Sequence, residues 1–457
     1  MTKLSRKRIT KKPPKSETKY QEEKKKINSF SQAFMNNTKM RLILMNFLEF
    51  FVWGAWMMTL GTYAFGVKHW DSAEFGIIFS TMGIASLFSP ALFGIIADKW
   101  VKSNVLFGIL HLLFAITLCI LPMINNPWVF FGFMLLAMCF YMPTIALNNS
   151  IGFELLVREG KDPQVAFPPI RVWGTIGFIA AMWITNIVKL AVPDIFTKGY
   201  FAGYSFLIGT AGAVVLSIFT FTQIPSIEPE NKMKGSKKLV DKLGLQAFSL
   251  FKDSKMAVFF IFSILLGAAL QLTNAYGDAF ISSVNHPFTK EYSTIILSVS
   301  QVSETLFILT IPFFLRRFGI KKVMLMSMFA WMLRFGLFGI AGPTLWGIVS
   351  IFASCIVYGM AFDFFNISGA LFVEEATGEK IRNSAQGVFM MMTNGVGAVL
   401  GNVAAGYAIK MFFTGSNGSL DWPSIWYTFA IYALIVAILF MVLFKYKHTP
   451  KKKLELS

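Results

Sequence analysis

Residues 224–255 read IPSIEPENKMKGSKKLVDKLGLQAFSLFKDSK and form the longest polar stretch inside an otherwise apolar chain. On both sides of it, apolar segments follow one another, each with the roughly 20 residues that a helix needs to cross a ~30 Å hydrocarbon core. The sequence therefore predicts an all-α integral membrane protein with twelve transmembrane helices, six in each half. The predicted spans are residues 41–65, 75–97, 104–123, 127–151, 168–190, 200–223, 256–282, 291–315, 322–340, 344–372, 383–411 and 424–444.

The same pattern divides the chain into five parts. They are a basic disordered cytoplasmic tail at 1–40, an N-terminal bundle at 41–223, a cytoplasmic linker at 224–255, a C-terminal bundle at 256–445 and a second cytoplasmic tail at 446–457. Within the linker, residues 237–251 carry apolar side chains at near-helical spacing, which predicts an amphipathic helix on the membrane surface.

The basic side chains predict the orientation of the spans. Of the 42 Lys and Arg residues, 35 fall in the tails and in the segments on the same side, and five fall in segments on the opposite side. Basic residues concentrate on the cytoplasmic side of a membrane protein, so both termini are predicted to be cytoplasmic. A miscounted span would invert every later segment and destroy this asymmetry.

The composition argues against several classes of protein. Only 14% of the residues are charged and 55% are hydrophobic, whereas soluble proteins carry about 25% charged residues. The net charge of +18 comes largely from the N-terminal tail, which is predicted to help set the orientation of the spans. Binding of acidic lipids by the tail is the alternative. No nucleic-acid partner is predicted. The three cysteines and four histidines lack metal-site spacing, and no phosphate-binding loop is present. The sequence thus predicts no cofactor, no metal site and no catalytic residue.

A weak internal repeat supports two related halves. GIIADKW (94–100) follows the second span, and RRFGIKK (316–322) follows the eighth, at the equivalent place. Two six-helix halves with basic loops at these positions fit the major facilitator fold, which binds its substrate near the midplane between the halves. Asp98 and Lys99 are predicted to form a cytoplasmic gate with the second loop, and a role in topology alone is the alternative.

Ionisable side chains inside the spans are functional candidates, because each costs several kcal/mol at the bilayer centre. They are Glu49, Arg171, Asp278, Glu304, Arg334 and Asp363. Asp278 and Arg334 fall close to predicted span ends, so extension of the side chain to the interface is an equally open interpretation for these two.

Four spans place polar and aromatic side chains on one helix face. The stripes are Arg171, Thr175 and Phe178; Gln271 and Asn274; Gln301 and Glu304; and Tyr358, Phe362 and Asp363 with Asn366 one turn on. One such stripe can be a helix–helix contact, but four together predict a cavity. Aromatic faces stack on flat heterocycles and amides pair with base edges. The residues favour a neutral heterocyclic or polyhydroxylated solute and leave a nucleoside, an aromatic glycoside and a sugar open.

Eight stretches resemble a known family. They are WGAWMMTLGTY (53–63), GIIADKW (94–100), FPPIRVWGTIGF (167–178), FFIFSILLGAALQLTN (259–274), SQVSETLFILTIPFFL (300–315), YGMAFDFFNISG (358–369), SAQGVFMMMTNG (384–395) and FKYKH (444–448). From residue 40 to 448 the chain resembles the bacterial nucleoside–proton symporters of the major facilitator superfamily, the NupG-type nucleoside permeases. The resemblance implies proton-driven nucleoside uptake across the bacterial inner membrane by alternating access.

The resemblance also implies roles for residues of the stripes. Nine of them would contact the nucleoside: Arg171, Thr175, Phe178, Gln271, Asn274, Gln301, Glu304, Tyr358 and Phe362. Asp363 is the first candidate for proton coupling and Glu304 the second. Either carboxylate could pair with Arg171 and give up that pairing for a proton or for substrate during the cycle. Glu49 and Asp278 stand where the resemblance leads us to expect amides, and Ala269 where it leads us to expect a carboxylate, which leaves the proton stoichiometry open.

Other functions remain open at this stage. A major facilitator carrying a sugar or a drug-like compound would share the fold without needing the stripes. A membrane receptor or an intramembrane enzyme is a further alternative, although no nucleophile–base arrangement is present. The expected partners are nucleosides, protons and the lipid bilayer, and the chain is expected to be a monomer.

Overall fold

The computed structural model of the chain describes residues 37–192, 199–229, 250–377 and 382–446. Most of the predicted N-terminal tail, the C-terminal tail from residue 447 and nearly all of the predicted amphipathic helix lie outside these ranges. Within them the regular structure is helical, apart from one isolated bridge between Thr414 and Leu420.

The helices confirm an all-α membrane protein. Ten of those described are long and apolar enough to cross a membrane, and a bent pair adds an eleventh. The remaining span is the first, which is broken by a turn at 55–59. In chain order the spans are Thr38–Gly54 with Leu60–Gly66; Ser72–Phe79 with Thr81–Lys99; Ser103–Ile120; Pro127–Arg158; Pro168–Ala191; Tyr204–Gln223; Ser254–Ser283; Pro287–Ile308 with Ile311–Phe318; Ile320–Gly339; Leu345–Ala376; Arg382–Met390 with the π-helical Met391–Gly397 and Ala398–Phe412; and Trp422–Leu443. Short helices Leu121–Met123, Pro163–Ala166 and Gly199–Gly203 lie in the connections.

Local sequence explains where several spans begin and bend. The Asp71 side chain accepts hydrogen bonds from the first-turn N–H groups of Ala73 and Glu74, and the Glu74 side chain accepts one from the Asp71 N–H, which caps the second span. The eighth span bends by 55° before Ile311–Phe318. Pro312 stands in the first turn of that helix, where its missing N–H is harmless but its ring prevents a continuous helix through the bend.

Glycines let the two halves approach closely. A Cβ added at Gly76 would lie 2.3 Å from the carbonyl oxygen of Asn402, and one at Gly406 would lie 2.4 Å from that of Ser72. Helices in lipid associate by close packing of small residues, because burial of apolar surface offers little drive there. The second and eleventh spans therefore pack with their backbones in direct contact.

The halves meet at the span ends opposite the linker. Four side-chain hydrogen bonds join them there: Lys410 to Asp71 at 2.6 Å, Asn186 to the Glu291 carbonyl at 2.8 Å, Trp183 to Ser298 at 2.9 Å, and Thr62 to Asp278. We call this region the outer end. It closes one end of the space between the halves, where the predicted stripes lie.

Candidate functional site

In the N-terminal half, glycines press the fifth span against the first. A Cβ at Gly177 would lie only 2.1 Å from the Phe47 carbonyl oxygen, so this helix face needs glycine. The close approach places the Arg171 guanidinium carbon 3.8 Å from the centroid of the Phe50 ring. One and two turns on, Thr175 is half-buried and Phe178 is buried.

Aromatic rings from three spans line this part of the site. Trp53 contacts Phe178 edge-on, with 6.3 Å between ring centroids, and lies 5.8 Å from Tyr141. Phe50, Trp53 and Tyr141 were not among the residues predicted from the sequence. Phe50 and Trp53 are three apart on one helix, a spacing that could have revealed them, whereas Tyr141 belongs to a distant span and gave no such signal.

In the C-terminal half, the eighth and tenth spans cross at a glycine. A Cβ at Gly359 would lie 2.5 Å from the Ser303 carbonyl oxygen and 2.8 Å from the Glu304 nitrogen. Beside this crossing the rings of Tyr358 and Phe362 are nearly parallel, with centroids 5.7 Å apart and 3° between their planes. The Gln301 side chain interacts with the Tyr358 phenol. The crossing thus joins flat rings, an amide and the carboxylate of Glu304.

The charged residues of the two halves meet near the centre. Glu304 interacts electrostatically with Arg171 of the opposite half and with Asp363 of its own half. Asp363 is only 4% exposed, and its Oδ2 atom has no hydrogen-bond partner among the described residues. Burial without a partner penalises a charged carboxylate, so a proton or a polar substrate group at Oδ2 would remove that penalty.

Arg334 and Asp278 do not extend to the membrane interface. Arg334 is 1% exposed, donates to the Ser354 carbonyl at 2.7 Å and lies 4.6 Å from the centroid of the Tyr358 ring. Asp278 is 2% exposed and accepts hydrogen bonds from Thr294, at 2.8 Å, and from Thr62. The interface interpretation was wrong for both, because neighbouring spans supply polar partners inside the bundle.

Four predicted residues, Gln271, Asn274, Asp98 and Lys99, lie outside the contacts described so far. Gln271 and Asn274 are half-buried on the seventh span, whose Leu270 shares a small cleft with Phe362. At the predicted gate, Asp98 is exposed and the Lys99 ammonium lies 6.0 Å from the Trp100 ring centroid. Neither gate residue forms an ion pair with another described residue in this conformation, so the gate stays a prediction.

A separate cavity of about 480 Å³ lies at the outer end and is lined by both halves. Its walls include Thr62, Tyr63, Asp278, Lys290 and Thr294, and none of the predicted substrate residues. This cavity is therefore next to the closing contacts and away from the central stripes.

Comparison with known proteins identifies the family. The sequence model of the nucleoside H+ symporter family matches residues 35–449, nearly the whole chain. The chain belongs to the nucleoside H+ symporter family. Within it, the chain is 46% identical over 418 residues to the nucleoside permease NupG of Escherichia coli (strain K12), covering 90% of this chain and 97% of NupG.

A second relative and a crystal structure of NupG place the family on a known fold. The xanthosine permease of the same organism is 45% identical over 419 residues, covering 90% of this chain and 97% of the permease. A crystal structure of the nucleoside transporter NupG superimposes with a TM-score of 0.82 at 45% identity, over 90% of this chain and 100% of that one. The twelve-helix major facilitator fold predicted from the sequence is confirmed, and the chain is a multi-pass membrane transporter.

Proposed function

We infer that this chain imports nucleosides together with protons across the bacterial inner membrane. The observation that carries the inference is the 46% identity to a nucleoside permease along nearly the full length of both chains. The site geometry agrees with it, because the N-terminal half supplies a guanidinium and aromatic rings and the C-terminal half supplies flat rings, amides and carboxylates.

The nucleoside would bind between the halves. Its base would stack on the parallel rings of Tyr358 and Phe362, since stacking on an aromatic side chain contributes about 1–3 kcal/mol per base. Amides of Gln271, Asn274 and Gln301 would bond the base edge or ribose hydroxyls. Arg171, Thr175, Phe178 and Glu304 would complete the site from the two sides of the space.

Proton coupling would centre on Asp363, with Glu304 as the second group. Asp363 is buried, has an oxygen without a partner, and interacts with Glu304, which in turn faces Arg171. Protonation of either carboxyl group would change the charge opposite Arg171 and so link proton binding to the substrate site. One proton entering across 100 mV supplies ~2.3 kcal/mol, enough for about a 50-fold gradient of a neutral solute.

The orientation and assembly follow from the same inference. Both termini and the linker would be cytoplasmic, so the outer end described above would face away from the cytoplasm. The substrate would then enter from the outer end and leave toward Asp98 and Lys99 in a cycle of alternating access. A single chain would suffice, since both halves of the site come from it.

The test is uptake of radiolabelled uridine, adenosine and xanthosine into proteoliposomes, with and without a protonophore. We expect accumulation that the protonophore abolishes and that unlabelled nucleosides, but not free ribose, compete. Asp363→Asn should exchange uridine across the membrane without accumulating it. Transport of none of the three nucleosides would refute the substrate class, and accumulation that survives the protonophore would refute proton coupling.

A further inference from the structure

A histidine and a glutamate form a closed pair in the N-terminal half, apart from the carboxylates discussed so far. The His111 Nε2 atom of the third span lies 3.0 Å from the Glu49 Oε2 atom of the first span, and both side chains are 0% exposed. Neither of these two atoms has another hydrogen-bond partner in the described part of the chain. The pair is thus shielded from water, and each of the two atoms has the other as its polar neighbour.

The surrounding hydrogen bonds favour one arrangement of hydrogens on the pair. The His111 Nδ1 atom lies 3.0 Å from the Phe107 carbonyl oxygen, and since a carbonyl can only accept, Nδ1 carries a hydrogen. The Thr144 hydroxyl donates to the other carboxyl oxygen, Glu49 Oε1, at 2.7 Å. A proton between Nε2 and Oε2 would give these two atoms a hydrogen bond, whereas without it a bare carboxylate would face an imidazole lone pair in a dry site.

The pair is connected to the proposed nucleoside site. The Arg171 guanidinium lies over the ring of Phe50, the residue next to Glu49 in the sequence. Arg171 also interacts electrostatically with Glu304 and with Glu49. The Tyr141 hydroxyl donates to the Glu49 carbonyl at 2.8 Å, and its ring contacts Trp53. Within the described ranges, two titratable groups interact with the pair, Tyr141 from the fourth span and Arg171 from the fifth.

We propose that Glu49 and His111 form a second proton-binding site, which binds and releases one proton in each transport cycle. The proposal rests on the proposed proton-coupled function. In a conformation of the cycle that admits water to the pair, release moves the shared proton to that water and leaves an anionic carboxylate beside a neutral imidazole, and the two side chains then separate. The freed Glu49 carboxylate then competes with Glu304 and with substrate for Arg171. Proton occupancy in the N-terminal half thereby alters the same guanidinium that the C-terminal carboxylates use.

The test counts protons per nucleoside in proteoliposomes under an imposed pH gradient. Each coupled proton multiplies the attainable accumulation about tenfold per pH unit. We expect Glu49→Gln and His111→Gln each to lower the H+/uridine ratio by one, so that steady accumulation falls about tenfold at one unit of gradient. The matched control is Ser217→Ala, which removes a buried 2.8 Å hydrogen bond to the Gly108 carbonyl on the same third span and should keep the ratio.

Two outcomes separate this proposal from the proposed function. If the wild-type protein accumulates no uridine, the proposed function fails whatever Glu49 does. If the wild type accumulates uridine and both pair variants keep its ratio, the pair is only a packing contact and the second site is refuted.

A second measurement decides the case if the pair variants do not fold. The other three histidines, at positions 69, 286 and 448, are replaced by asparagine, which suits the left-handed backbone of His69 and the helix-capping position of His286. The ¹⁵N resonances of the one remaining imidazole, His111, should then shift when uridine binds. Resonances that do not respond to uridine would overturn the proposal.

Discussion

The guanidinium carbon of Arg171 lies 3.8 Å from the centroid of the Phe50 ring. A planar guanidinium can stack on this ring and still donate to a substrate, whereas a lysine ammonium is a compact, strongly hydrated charge. Between desolvated groups such a contact is worth up to about 2 kcal/mol, so we expect Arg171→Lys to raise the KM for uridine about 10- to 30-fold. Initial uptake rates over a range of uridine concentrations measure the change.

The control for this variant is Arg158→Lys. Arg158 pairs with Glu154 one turn away, and both side chains are 43% exposed, so the exchange should leave the KM within about twofold. An unaltered KM in Arg171→Lys would mean that the charge alone matters and that the stacked geometry has no role in binding.

At the residue scale, the sequence predicted isolated charges better than their partners. The cost of an intramembrane charge predicted Arg171, Glu304 and Asp363 without any knowledge of packing. In the sequence His111 is one of four scattered histidines, because its pairing depends on the third span packing beside Glu49. For Arg334 the sequence leaves extension to the interface open, since nothing local shows that Ser354 and Tyr358 surround it.

At the element scale, hydropathy determined the number and approximate bounds of the spans but not their breaks. The segments predicted at 41–65 and 291–315 are interrupted by a turn and a 55° bend, and the eleventh span contains the π-helical Met391–Gly397. An apolar segment has the same length and composition whether or not its helix is continuous. The 55° bend has a local signal in Pro312, whereas the π-helical segment lies against the seventh span, where Gly267 closely approaches the Thr393 carbonyl, a contact that the sequence does not reveal.

The close crossing of the eighth and tenth spans requires glycine at position 359. In Gly359→Ala the new Cβ would meet backbone atoms of Ser303 and Glu304 within 2.8 Å, and backbone cannot move aside cheaply. We expect a loss of about 1–3 kcal/mol in stability, together with loss of uridine uptake as Glu304 is pushed away from its position. Thermal unfolding in detergent and uptake in proteoliposomes measure the two effects.

Gly336→Ala provides the comparison on the neighbouring ninth span, since a Cβ there would meet nothing within 4 Å. It should unfold at or slightly above the wild-type temperature, because alanine favours the helix, and should transport normally. Wild-type behaviour of Gly359→Ala would show that the two spans can separate without harm to the site.

At the scale of the whole molecule, two-halved organisation was predictable because every span must be long, apolar and followed by a polar connection. How the halves tilt against each other was not, since it rests on pairs far apart in sequence, such as Gly76 with Asn402 and Asp71 with Lys410. For the same reason, the sequence could assign the four stripes to one cavity but could not predict their positions around it. Each stripe specifies a face of its own helix and nothing about the distance to another.

The ion pair at the outer end is a point at which the balance between conformations can be measured. Partial burial alone would raise the pKa of Asp71, but the hydrogen bond from Lys410 and those from the backbone N–H groups of Glu74 and Ala73 outweigh it and hold the pKa below its ordinary value. A depressed pKa means that the stabilisation is present above the ordinary aspartate value of ~3.9 and is lost as the pH falls through the lower folded value. Between about pH 5.5 and 8.5 the contribution of the pair is therefore constant.

Asp71→Asn should accordingly favour opening of the outer end by the same factor at every pH in that range. The pair is 34% and 50% exposed, so its contribution is at most about 1 kcal/mol, and the KM for external uridine should fall by up to about fivefold as more of the protein faces outward. Lys410→Gln should produce the same change, and the double variant no more than either, because all three remove one interaction. High salt, which screens exposed charges, should shrink the difference from wild type. A KM that changes with pH in the variant but not in the wild type, or additive effects of the two substitutions, would show that the outer end is held by something other than this pair.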